Sequence, residues 1–458
     1  MLLDFANLEL NKKGELYHSL YKIIKEAVEC GAIKKGEKLP SIREAAAQLR
    51  VSRTTVENAY MRLCIEGIVQ SFPQRGYYIT DNIPNKDKRT LITENASPIV
   101  IYDFSSRKID TATADIEGWK KAVRRVLWDS DELASYGDNE GEMRLRKALA
   151  EYSYKARGVK TEPQNIVIGA GIGPLLNILC GLIGRDIKVG FENGGFAEAN
   201  GIFLDYGIKT VMLEIDINGA KINSIEQNEI DVLFLLPSAL SKISVNSLYK
   251  RRNQYFAWLG AGESRLVIED DYNGELRYTA RAVASFQGMA SESTVYIGSF
   301  SKLLLPSVRI AYMVLPSFLA QKFDCKKANY NQTCGKIEQM ALADYISSGA
   351  LERNLKRLRR VYYNKSQILI SELKSKVPQC IKTVLFESSL TVELQTRLNI
   401  KSEEFCMLAE KEGIRLIACN KKGAVRICFA AIPQNEVSMA VERLSSVISK
   451  IEKIVSLK

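Results

Sequence analysis

Apolar residues near the start of the chain recur every three to four positions, which is the spacing of an amphipathic helix. This pattern predicts a helix over residues 16–30 that ends at Gly31. Its apolar positions are Leu16, Leu20, Ile23, Ile24, Ala27 and Val28. We therefore expect one side of this helix to pack on a small core.

Two shorter helices are predicted next. Ser41 and Glu44 form an S-x-x-E capping box, which begins a helix that ends at Leu49. Ser52 is an N-cap candidate for a second helix over residues 53–66. Two short helices joined by a tight turn form a helix-turn-helix.

A β-hairpin and a linker follow these helices. Residues 68–71 and 77–80 are strand-like and flank the sequence FPQRG, which predicts a wing. Residues 81–98 are polar, with Pro84 and Pro98, and indicate a linker. The predicted domains are therefore residues 1–80, the linker 81–98, and residues 99–458.

In the last of these domains, short apolar runs alternate with helical stretches. The clearest runs are 166–168, 187–191, 210–213, 232–236, 266–268 and 294–297. Continuous apolar strands between helices are typical of a multidomain α/β chain whose mostly parallel sheet is covered on both faces. Ligands of such sheets bind at the carboxyl ends of the strands.

Composition narrows the function classes only slightly. The net charge of +11 and the pI of about 9.0 permit a nucleic-acid partner. Residues 1–82 carry 12 Lys and Arg against 10 Asp and Glu, so DNA binding must be argued from pattern. Nine cysteines without a C-x-x-C pair favour a reduced, cytoplasmic protein. The single histidine, His18, nearly excludes histidine-based metal sites, and we expect no bound metal.

One uncharged stretch of 19 residues, 166–184, has the length of a marginal membrane span. It contains five glycines, a proline and an asparagine, which a strand, a turn and a buried helix explain better. We therefore expect no membrane partner.

The helix-turn-helix carries residues suited to DNA. Its second helix begins Ser52-Arg53-Thr54-Thr55, and short hydroxyls with an arginine at a helix start suit base edges and phosphates. Arg75 at the wing tip suits a minor groove or a phosphate. The alternative is a small helical domain that binds nothing.

Four features lie just past predicted strand ends. GAGIGP places Gly171 and Ile172 at a helix start, where backbone N–H groups bind phosphate, although a structural turn explains it equally well. ENGGFAEAN places Phe196 where it could stack on a flat ligand, or in the core. IEDDY includes Asp270 and suits a metal, a salt bridge or a protonated ring nitrogen.

The fourth feature is GSFSKLLLPSVR, which contains Ser299, Lys302 and Arg309. Hydroxyls and an arginine suit a phosphate, and a buried lysine with a lowered pKa suits a Schiff base. A structural Lys–Asp pair is the alternative. Together the four features match what pyridoxal 5'-phosphate requires: a lysine, an acid, an aromatic face and phosphate donors.

Residues 16–80 resemble the winged helix-turn-helix of GntR-family transcription regulators. The matching segments are LYHSLYKIIKEAVECGAIKKGEKLPSIREAA, VSRTTVENAY and EGIV with RGYYI. The resemblance implies operator DNA as a partner. The DNA-contacting residues that it implies are Ser41, Arg43, Arg53, Thr54, Thr55 and Arg75.

Residues 99–458 resemble fold-type I, class I aminotransferases and, most closely, the MocR-type regulators that join a GntR winged helix to such a domain. The matching blocks are SYGDNEGEMRLRKALAEY, IEDDYNGELRY, GSFSK with PSVRIAY, and VRICF. The resemblance implies a mostly parallel sheet with large and small subdomains, and a homodimer.

The same resemblance implies residue roles. Lys302 would form the Schiff base, Asp270 would meet the pyridine nitrogen, and Tyr272 would lie on the cofactor's phenolic side. Ser299 and Arg309 would bind the phosphate. The remaining roles fall to Phe196 for stacking and to Arg426 for a ligand carboxylate.

The chain also departs from the family pattern. Ile172 and Gly173 stand where a polar pair is usual after the GA turn, so one phosphate donor is lost. LPSALSKISV keeps Pro237 and Ser238 but lacks the polar residue that contacts the cofactor's hydroxyl. These changes weaken the case for turnover more than the case for cofactor binding.

We therefore expect a regulator that binds pyridoxal phosphate and senses a small amine or amino acid through an external aldimine at Lys302. One alternative is an active aminotransferase with a DNA-binding arm. The other is a regulator whose second domain is a scaffold that no longer binds the cofactor. A basic stripe over residues 351–365 indicates a solvated helix face, or else an extra DNA contact.

Overall fold

The computed structural model divides the chain into two compact units, Met1–Ser97 and Pro98–Lys458. The predicted linker over 81–98 lies outside the described residues. The structure describes residues 16–80, 100–105, 108–128, 131–192, 197–216, 218–237, 245–262, 264–272, 274–278, 284–377, 381–385, 390–396, 398–419 and 421–456.

The first unit contains the predicted helix-turn-helix and wing. Its elements are α1 (Leu16–Glu29), α2 (Ile42–Leu49), α3 (Arg53–Ile65), β1 (Val69–Phe72) and β2 (Gly76–Ile79). The capping box is confirmed, because the Glu44 N–H donates to Ser41 Oγ at 3.2 Å and the Ser41 N–H donates to Glu44 Oε2 at 2.9 Å. Ser52 caps α3 in the same way, accepting from the Thr55 N–H at 3.1 Å.

Apolar side chains of α1 and α3 meet in the core of this unit. Leu20, Ile24, Val56 and Leu63 are completely buried. Tyr60 is buried as well, and its hydroxyl donates to the Pro40 carbonyl at 3.0 Å, so the polar end of a core tyrosine is satisfied. This packing leaves the start of α3 and the wing tip exposed.

The second unit is an α/β domain with a larger and a smaller sheet. Its strands are β3 (Tyr102–Asp103), β4 (Ile166–Gly169), β5 (Lys188–Glu192), β6 (Lys209–Leu213), β7 (Ile215–Asp216), β8 (Gly219–Ala220), β9 (Val232–Leu235), β10 (Leu266–Asp270), β11 (Thr294–Ser299), β12 (Ala311–Val314), β13 (Lys382–Leu385), β14 (Thr391–Gln395), β15 (Ile414–Arg415), β16 (Ile417–Ala418) and β17 (Ala424–Cys428). Its helices are α4 (Ile116–Trp128), α5 (Met143–Arg157), α6 (Ile172–Ile183), α7 (Ala197–Asp205), α8 (Ile222–Gln227), α9 (Val245–Gly260), α10 (Ser317–Lys326), α11 (Lys336–Ser347), α12 (Ala350–Lys376), α13 (Ser402–Lys411) and α14 (Val437–Ser456).

The larger sheet has seven strands in the order β4-β12-β11-β10-β9-β5-β6. Strand β12 runs antiparallel to both of its neighbours, and the other pairs are parallel. The reason lies in the connection from β11, since residues 300–310 are too few for a crossover helix. The mostly parallel sheet is therefore confirmed, with one strand reversed.

Alternate residues of the central strands pack into two different hydrophobic clusters. Ile168 and Tyr296 belong to the cluster on one face, whereas Val167, Val295 and Ile297 belong to the cluster on the other. Both faces are thus covered, which explains why these strands are apolar at nearly every position.

The smaller sheet has the order β13-β14-β17-β16 and packs with α13 and α14. Its strand β17 carries Arg426 and Cys428 on one face, beside Glu393 and Thr391 of β14. Val425 and Ile427 point to the opposite, buried face. The sheet thus presents a polar side and an apolar side.

None of the described helices combines the length and apolar character needed to cross a bilayer. The uncharged stretch 166–184 forms strand β4, a glycine turn and helix α6, as its composition predicts.

A buried ion pair joins the end of α5 to the chain just after β10. Arg157 Nε lies 2.6 Å from Asp271 Oδ2, and both side chains are only 1% exposed. The Tyr296 hydroxyl also donates to Asp271 Oδ2 at 3.2 Å. Removing one partner of a buried pair leaves the other charge buried without compensation.

We therefore predict that Arg157→Met lowers the free energy of unfolding by about 3–5 kcal/mol, as measured by urea denaturation. Arg144→Gln is the control, because Arg144 also pairs with a carboxylate, that of Asp344, but is 55% exposed. Its cost should stay below about 1 kcal/mol. Equal urea midpoints for the two variants would show that the buried pair does not stabilise the domain.

Candidate functional site

Three consecutive acidic residues at the end of β10 have three different roles. Glu269 accepts hydrogen bonds from the backbone N–H groups of Phe286 and Gln287, at 2.8 and 3.0 Å. Asp271 pairs with Arg157. Successive residues of a strand point to opposite faces, so Asp270 points away from both of its neighbours.

Asp270 is a buried carboxylate, only 4% exposed. Among the described residues, none donates a hydrogen bond to its side chain or forms an ion pair with it. Burial, and secondarily the nearby Asp271 charge, raise the pKa of Asp270 to about 8. A carboxylate in this position favours a cationic partner, such as the protonated nitrogen of an aromatic ring.

Tyr272 lies beside Asp270 and is half-buried. Burial and the Asp270 charge raise the pKa of its phenol to about 12, so the phenol stays protonated at neutral pH. Arg426 and Cys428 of β17 are close enough to influence the same pKa. The smaller sheet therefore contributes to the site formed at the end of β10.

Lys302 follows β11 and is half-buried. Its Nζ atom donates to the Lys108 carbonyl at 3.2 Å. Burial lowers the pKa of Lys302, and the nearby Cys428 and Asp103 only partly oppose this effect. Lowering the pKa of a lysine makes its amine a better nucleophile.

A second buried lysine lies nearby and provides a comparison. Lys365 is fully buried, but its Nζ atom lies 2.7 Å from the Asp110 carboxylate. A carboxylate at this distance stabilises the charged amine. The polar contact of Lys302 at Lys108 is a neutral carbonyl, which stabilises a charged amine less than a carboxylate does.

The predicted phosphate position combines a helix start with an arginine. Gly171 precedes α6 and has a φ of 97°, which favours glycine. A Cβ atom there would lie only 2.5 Å from Arg309 Nη2, so glycine also makes room for the guanidinium. Arg309 itself has a φ of 52°, an uncommon conformation for a residue with a side chain.

The first N–H groups of α6 have no acceptors within the helix. The Gly171 N–H is already used, because it donates to the Gly169 carbonyl at 2.8 Å. The donors that remain for an anion are therefore the N–H groups of Ile172 and Gly173, next to the Arg309 guanidinium. The missing polar side chain at Ile172 leaves this backbone contribution intact.

Ser299 ends β11, and its Oγ atom accepts from the Ser301 N–H at 3.3 Å. The Ser299 hydroxyl also bonds to the Ser301 hydroxyl at 3.3 Å. Phe196 and Ser238 lie outside the described residues, so their predicted positions remain predictions.

Arg426 does not stand alone on the polar side of the smaller sheet. Glu393 lies directly opposite on β14, and its Oε2 atom is 3.4 Å from Arg426 Nε. The Gln395 amide donates to the other oxygen of Glu393 at 2.5 Å. A carboxylate of the protein therefore already faces the residue expected to bind a ligand carboxylate.

The predicted DNA-binding residues lie at the starts of α2 and α3 and at the wing tip. Arg43, Arg53, Thr54 and Arg75 are exposed. Ser41 and Thr55 use their oxygens in helix caps, the latter by bonding to Ser52 Oγ at 2.8 Å. Both hydroxyls therefore lie at helix N-termini, where backbone N–H groups bind phosphate oxygens.

Sequence reasoning missed two groups. Lys108 supplies a backbone carbonyl to Lys302, and no side-chain pattern signals such a contact. Glu393 could have been suspected, because VEL in LTVELQ places a charged residue between apolar residues of a strand. Its pairing with Arg426 depends on strand register, which the sequence does not specify.

The fit to pyridoxal phosphate rests on these contacts. The unpartnered carboxylate of Asp270, the nucleophilic amine of Lys302 and the anion cradle at Gly171 and Arg309 match the ring nitrogen, the aldehyde and the phosphate. Within the described residues, no group of three or more His, Cys, Asp or Glu is placed to hold a metal ion. The residues present therefore fit this cofactor.

Comparison with known families matches the two units separately. Residues 16–79 match the family described as bacterial regulatory proteins, gntR family. Residues 101–227 match aminotransferase class I and II. The α-aminoadipate aminotransferase LysN of Thermus thermophilus, crystallised with N-(5'-phosphopyridoxyl)-L-leucine, has 21% identity and a TM-score of 0.69, over 77% of this chain and 93% of that one. This likeness shows the fold.

Two regulators are similar over most of their length. The HTH-type transcriptional regulator YdeL of Bacillus subtilis, described as uncharacterized, is 32% identical over 94% of this chain and 96% of its own. The probable rhizopine catabolism regulatory protein MocR of Rhizobium meliloti is 26% identical over 78% of this chain and 76% of its own. With its winged helix, its aminotransferase fold and this full-length similarity, the chain belongs to the MocR-type GntR family of HTH-type transcriptional regulators.

Proposed function

We propose that this DNA-binding regulator carries pyridoxal phosphate on Lys302 and changes its DNA binding when a small amine or amino acid occupies the same site. The observation that supports the proposal most is that Lys302 and Tyr272, which follow the neighbouring parallel strands β11 and β10, both lie near Cys428. Asp270 is next to Tyr272, and Arg309 lies beside Gly171 at the start of α6. When bound, pyridoxal phosphate supplies an aldehyde that condenses with primary amines.

Different residues of the chain would hold different parts of the cofactor. Asp270 would hold the proton of the ring nitrogen, and Tyr272 would face the phenolic side. Arg309, Ser299 and the N–H groups at the start of α6 would bind the phosphate. Burial lowers the pKa of the Lys302 amine, which favours its reaction with an aldehyde.

The contact between Lys302 and Lys108 links the occupancy of the cofactor site to a neighbouring backbone segment. Lys302 Nζ donates to the Lys108 carbonyl only while the lysine carries protons that it can share. Attachment to the cofactor would leave Nζ with at most one N–H, whereas a free lysine has two or three to share. The segment that contains Lys108 therefore experiences different contacts in the two states, as a ligand-driven switch requires.

A homodimer fits the surface of the second unit. Leu127, Trp128 and Tyr136 are close in sequence and 51%, 92% and 103% exposed. Large apolar side chains exposed together mark contact surfaces. Two winged helices in one dimer would read two operator half-sites through Arg53, Thr54 and their neighbours.

Aminotransferase activity is a second candidate, favoured by the presence of Lys302, Asp270, Arg309 and Arg426 in one chain. Two observations favour a sensor instead. The winged helix belongs to a regulator family, and Glu393 faces the residue that would bind the substrate carboxylate. Formation of a keto acid from an added amino acid, dependent on Lys302, would support the enzyme.

The proposal predicts covalent attachment of pyridoxal phosphate at Lys302. After borohydride reduction, mass spectrometry should find the label on the peptide containing Lys302. Lys302→Ala should abolish the label and weaken cofactor binding about 10-fold (~1.4 kcal/mol) or more. Lys365→Ala and Lys108→Ala are the controls, and each should keep the label. Labelling that persists in Lys302→Ala would refute the assignment.

A second prediction concerns pH. The folded state keeps the Asp270 proton up to about pH 8, whereas the unfolded chain loses it near its usual value of about 4. The stability that this group contributes is therefore present at low pH and lost as pH rises towards 8. Without cofactor, the free energy of unfolding of the parent protein should therefore fall more steeply with rising pH than that of Asp270→Asn. The difference in slope should be up to about 1.4 kcal/mol per pH unit.

Thermal unfolding between pH 5 and pH 8 measures this difference. Glu192 and Glu275, whose pKa values burial raises to about 7, affect both proteins equally. Bound cofactor should remove the difference in slope, because its ring nitrogen pairs with the ionised Asp270. Asp324→Asn on the surface serves as the control, and identical slopes for Asp270→Asn and the parent protein would contradict the prediction.

The Glu393–Arg426 pair predicts ligand selectivity. A ligand carboxylate at Arg426 meets the negative charge of Glu393, so Glu393→Gln should raise the affinity for alanine by about 5–10-fold (~1–1.4 kcal/mol). Ethylamine, which lacks the carboxylate, should bind unchanged. Spectral titration of the cofactor-loaded protein gives both affinities, with the surface variant Glu403→Gln as control. A fall in alanine affinity would instead make Glu393 a residue that orients Arg426.

A further inference from the structure

A cavity of about 370 Å³ lies between α4, the end of α11 and the start of α12. None of the residues assigned to the cofactor site lines it. Its walls carry four basic side chains, those of Lys121, Arg125, Arg353 and Arg357. We call this cavity the basic recess.

The positive charge of the basic recess is largely uncompensated. Its one acidic residue, Asp115, accepts from the Tyr345 hydroxyl at 2.6 Å and from the Gly118 N–H at 3.1 Å. These neutral donors leave its charge in place, so Asp115 offsets one of the four positive charges. Arg125 lies 3.6 Å from Asp344, which does not line the recess. Among the described residues, no carboxylate lies within ion-pair distance of the other three cations, Lys121, Arg353 and Arg357.

Two of these arginines are held in place by neutral oxygen atoms. Arg357 donates to the carbonyls of Ala112 and Thr113 and to the Asn354 side chain. Arg353 donates to the Ser348 carbonyl at 3.2 Å. Such contacts orient a guanidinium without neutralising it, so the site is prepared for an anion before the anion arrives.

We propose that the basic recess binds a small molecule with two or more negative charges, carried on phosphate or carboxylate groups. A cavity of this size accepts a metabolite. A concave recess suits such a compact anion better than it suits the backbone of a DNA duplex. The anion would bridge Lys121 of α4 and Arg353 of α12.

The recess is connected to Lys302 through one short segment, residues 108–115. Lys108 accepts from Lys302 Nζ, whereas Ala112 and Thr113 accept from Arg357. An anion that attracts Arg357 competes with these two carbonyls and so alters the segment that Lys302 contacts. This coupling rests on the proposed function of Lys302, but the anion site does not.

Calorimetric titration of the full-length, cofactor-free protein with pyrophosphate and with citrate, at constant ionic strength, tests the site. The parent protein should bind one of them saturably, and Lys121→Gln/Arg353→Gln should weaken that binding about 10-fold or more. Lys120→Gln/Arg360→Gln is the matched control, because these exposed residues lie on the same helices outside the recess. Arg309→Gln, at the cofactor phosphate position, should leave this binding unchanged.

Three results would overturn the site. The first is the absence of saturable binding, and the second is equal weakening in the control pair. The third is binding that Arg309→Gln abolishes and the recess variant keeps, which would place the anion at the cofactor site. Weaker binding of duplex DNA to the recess variant, with no binding of either anion, would assign the surface to DNA and also refute the proposal.

The coupling is tested by the affinity for pyridoxal phosphate in citrate against sodium chloride of equal ionic strength. The parent protein should show a several-fold change, and the recess variant none. An unchanged affinity in the parent protein, with calorimetric binding intact, would overturn the coupling. Absence of cofactor binding in both salts would instead be a failure of the proposed function.

Discussion

The buried ion pair between Arg157 and Asp271 holds the end of strand β10, and the geometry of the candidate site depends on it. Glu269 is fixed in the same region by two backbone N–H groups. With the residues on both sides of it held, Asp270 has one direction left, towards the site. A carboxyl group that is fixed in a buried position cannot move out into water. It therefore either keeps its proton, which is why its pKa is raised, or pairs with a cationic partner.

The same principle separates the lysines near the site. Lys365 and Lys302 are both withdrawn from water, and burial lowers the pKa of each. Lys365 has the carboxylate of Asp110 at 2.7 Å, whereas Lys302 donates to a backbone carbonyl and has Cys428 and the carboxylate of Asp103 near enough to influence its pKa. This difference in neighbours is one reason why we propose Lys302, and not Lys365, for the Schiff base.

The backbone segment that Lys302 contacts also reaches a second region of the same domain. Residues 108–115 touch Lys302 at one end and Arg357 at the other, so a change of charge at either end reaches the same backbone segment. Glu393 beside Arg426 offsets the positive charge at the position that we propose for a ligand carboxylate. Binding selectivity and signal transmission are properties that a sensor needs, and neither requires turnover.

Much of the architecture follows from local sequence. Capping residues such as Ser41 and Ser52 set helix starts through contacts three residues away, and apolar runs mark the strands of a sheet covered on both faces. The blocks around Lys302, Asp270 and Arg309 were recognisable because each is continuous in sequence. These features are short-range, so the chain order alone specifies them.

Tertiary structure decided how separate segments combine. The sequence allowed the three acids of IEDDY to form a metal site, a salt bridge or a partner for a ring nitrogen. Only the tertiary packing gave Asp271 the ion pair with Arg157 and Glu269 the backbone N–H of Phe286, and so distinguished Asp270 from both. Strand register placed Glu393 opposite Arg426, and the fold of α4 against α12 gathered the basic recess from residues more than 200 positions apart. The sequence by itself determined which elements form and which chemistry they carry, whereas the charge state and partners of each group required the three-dimensional contacts that set burial and distance.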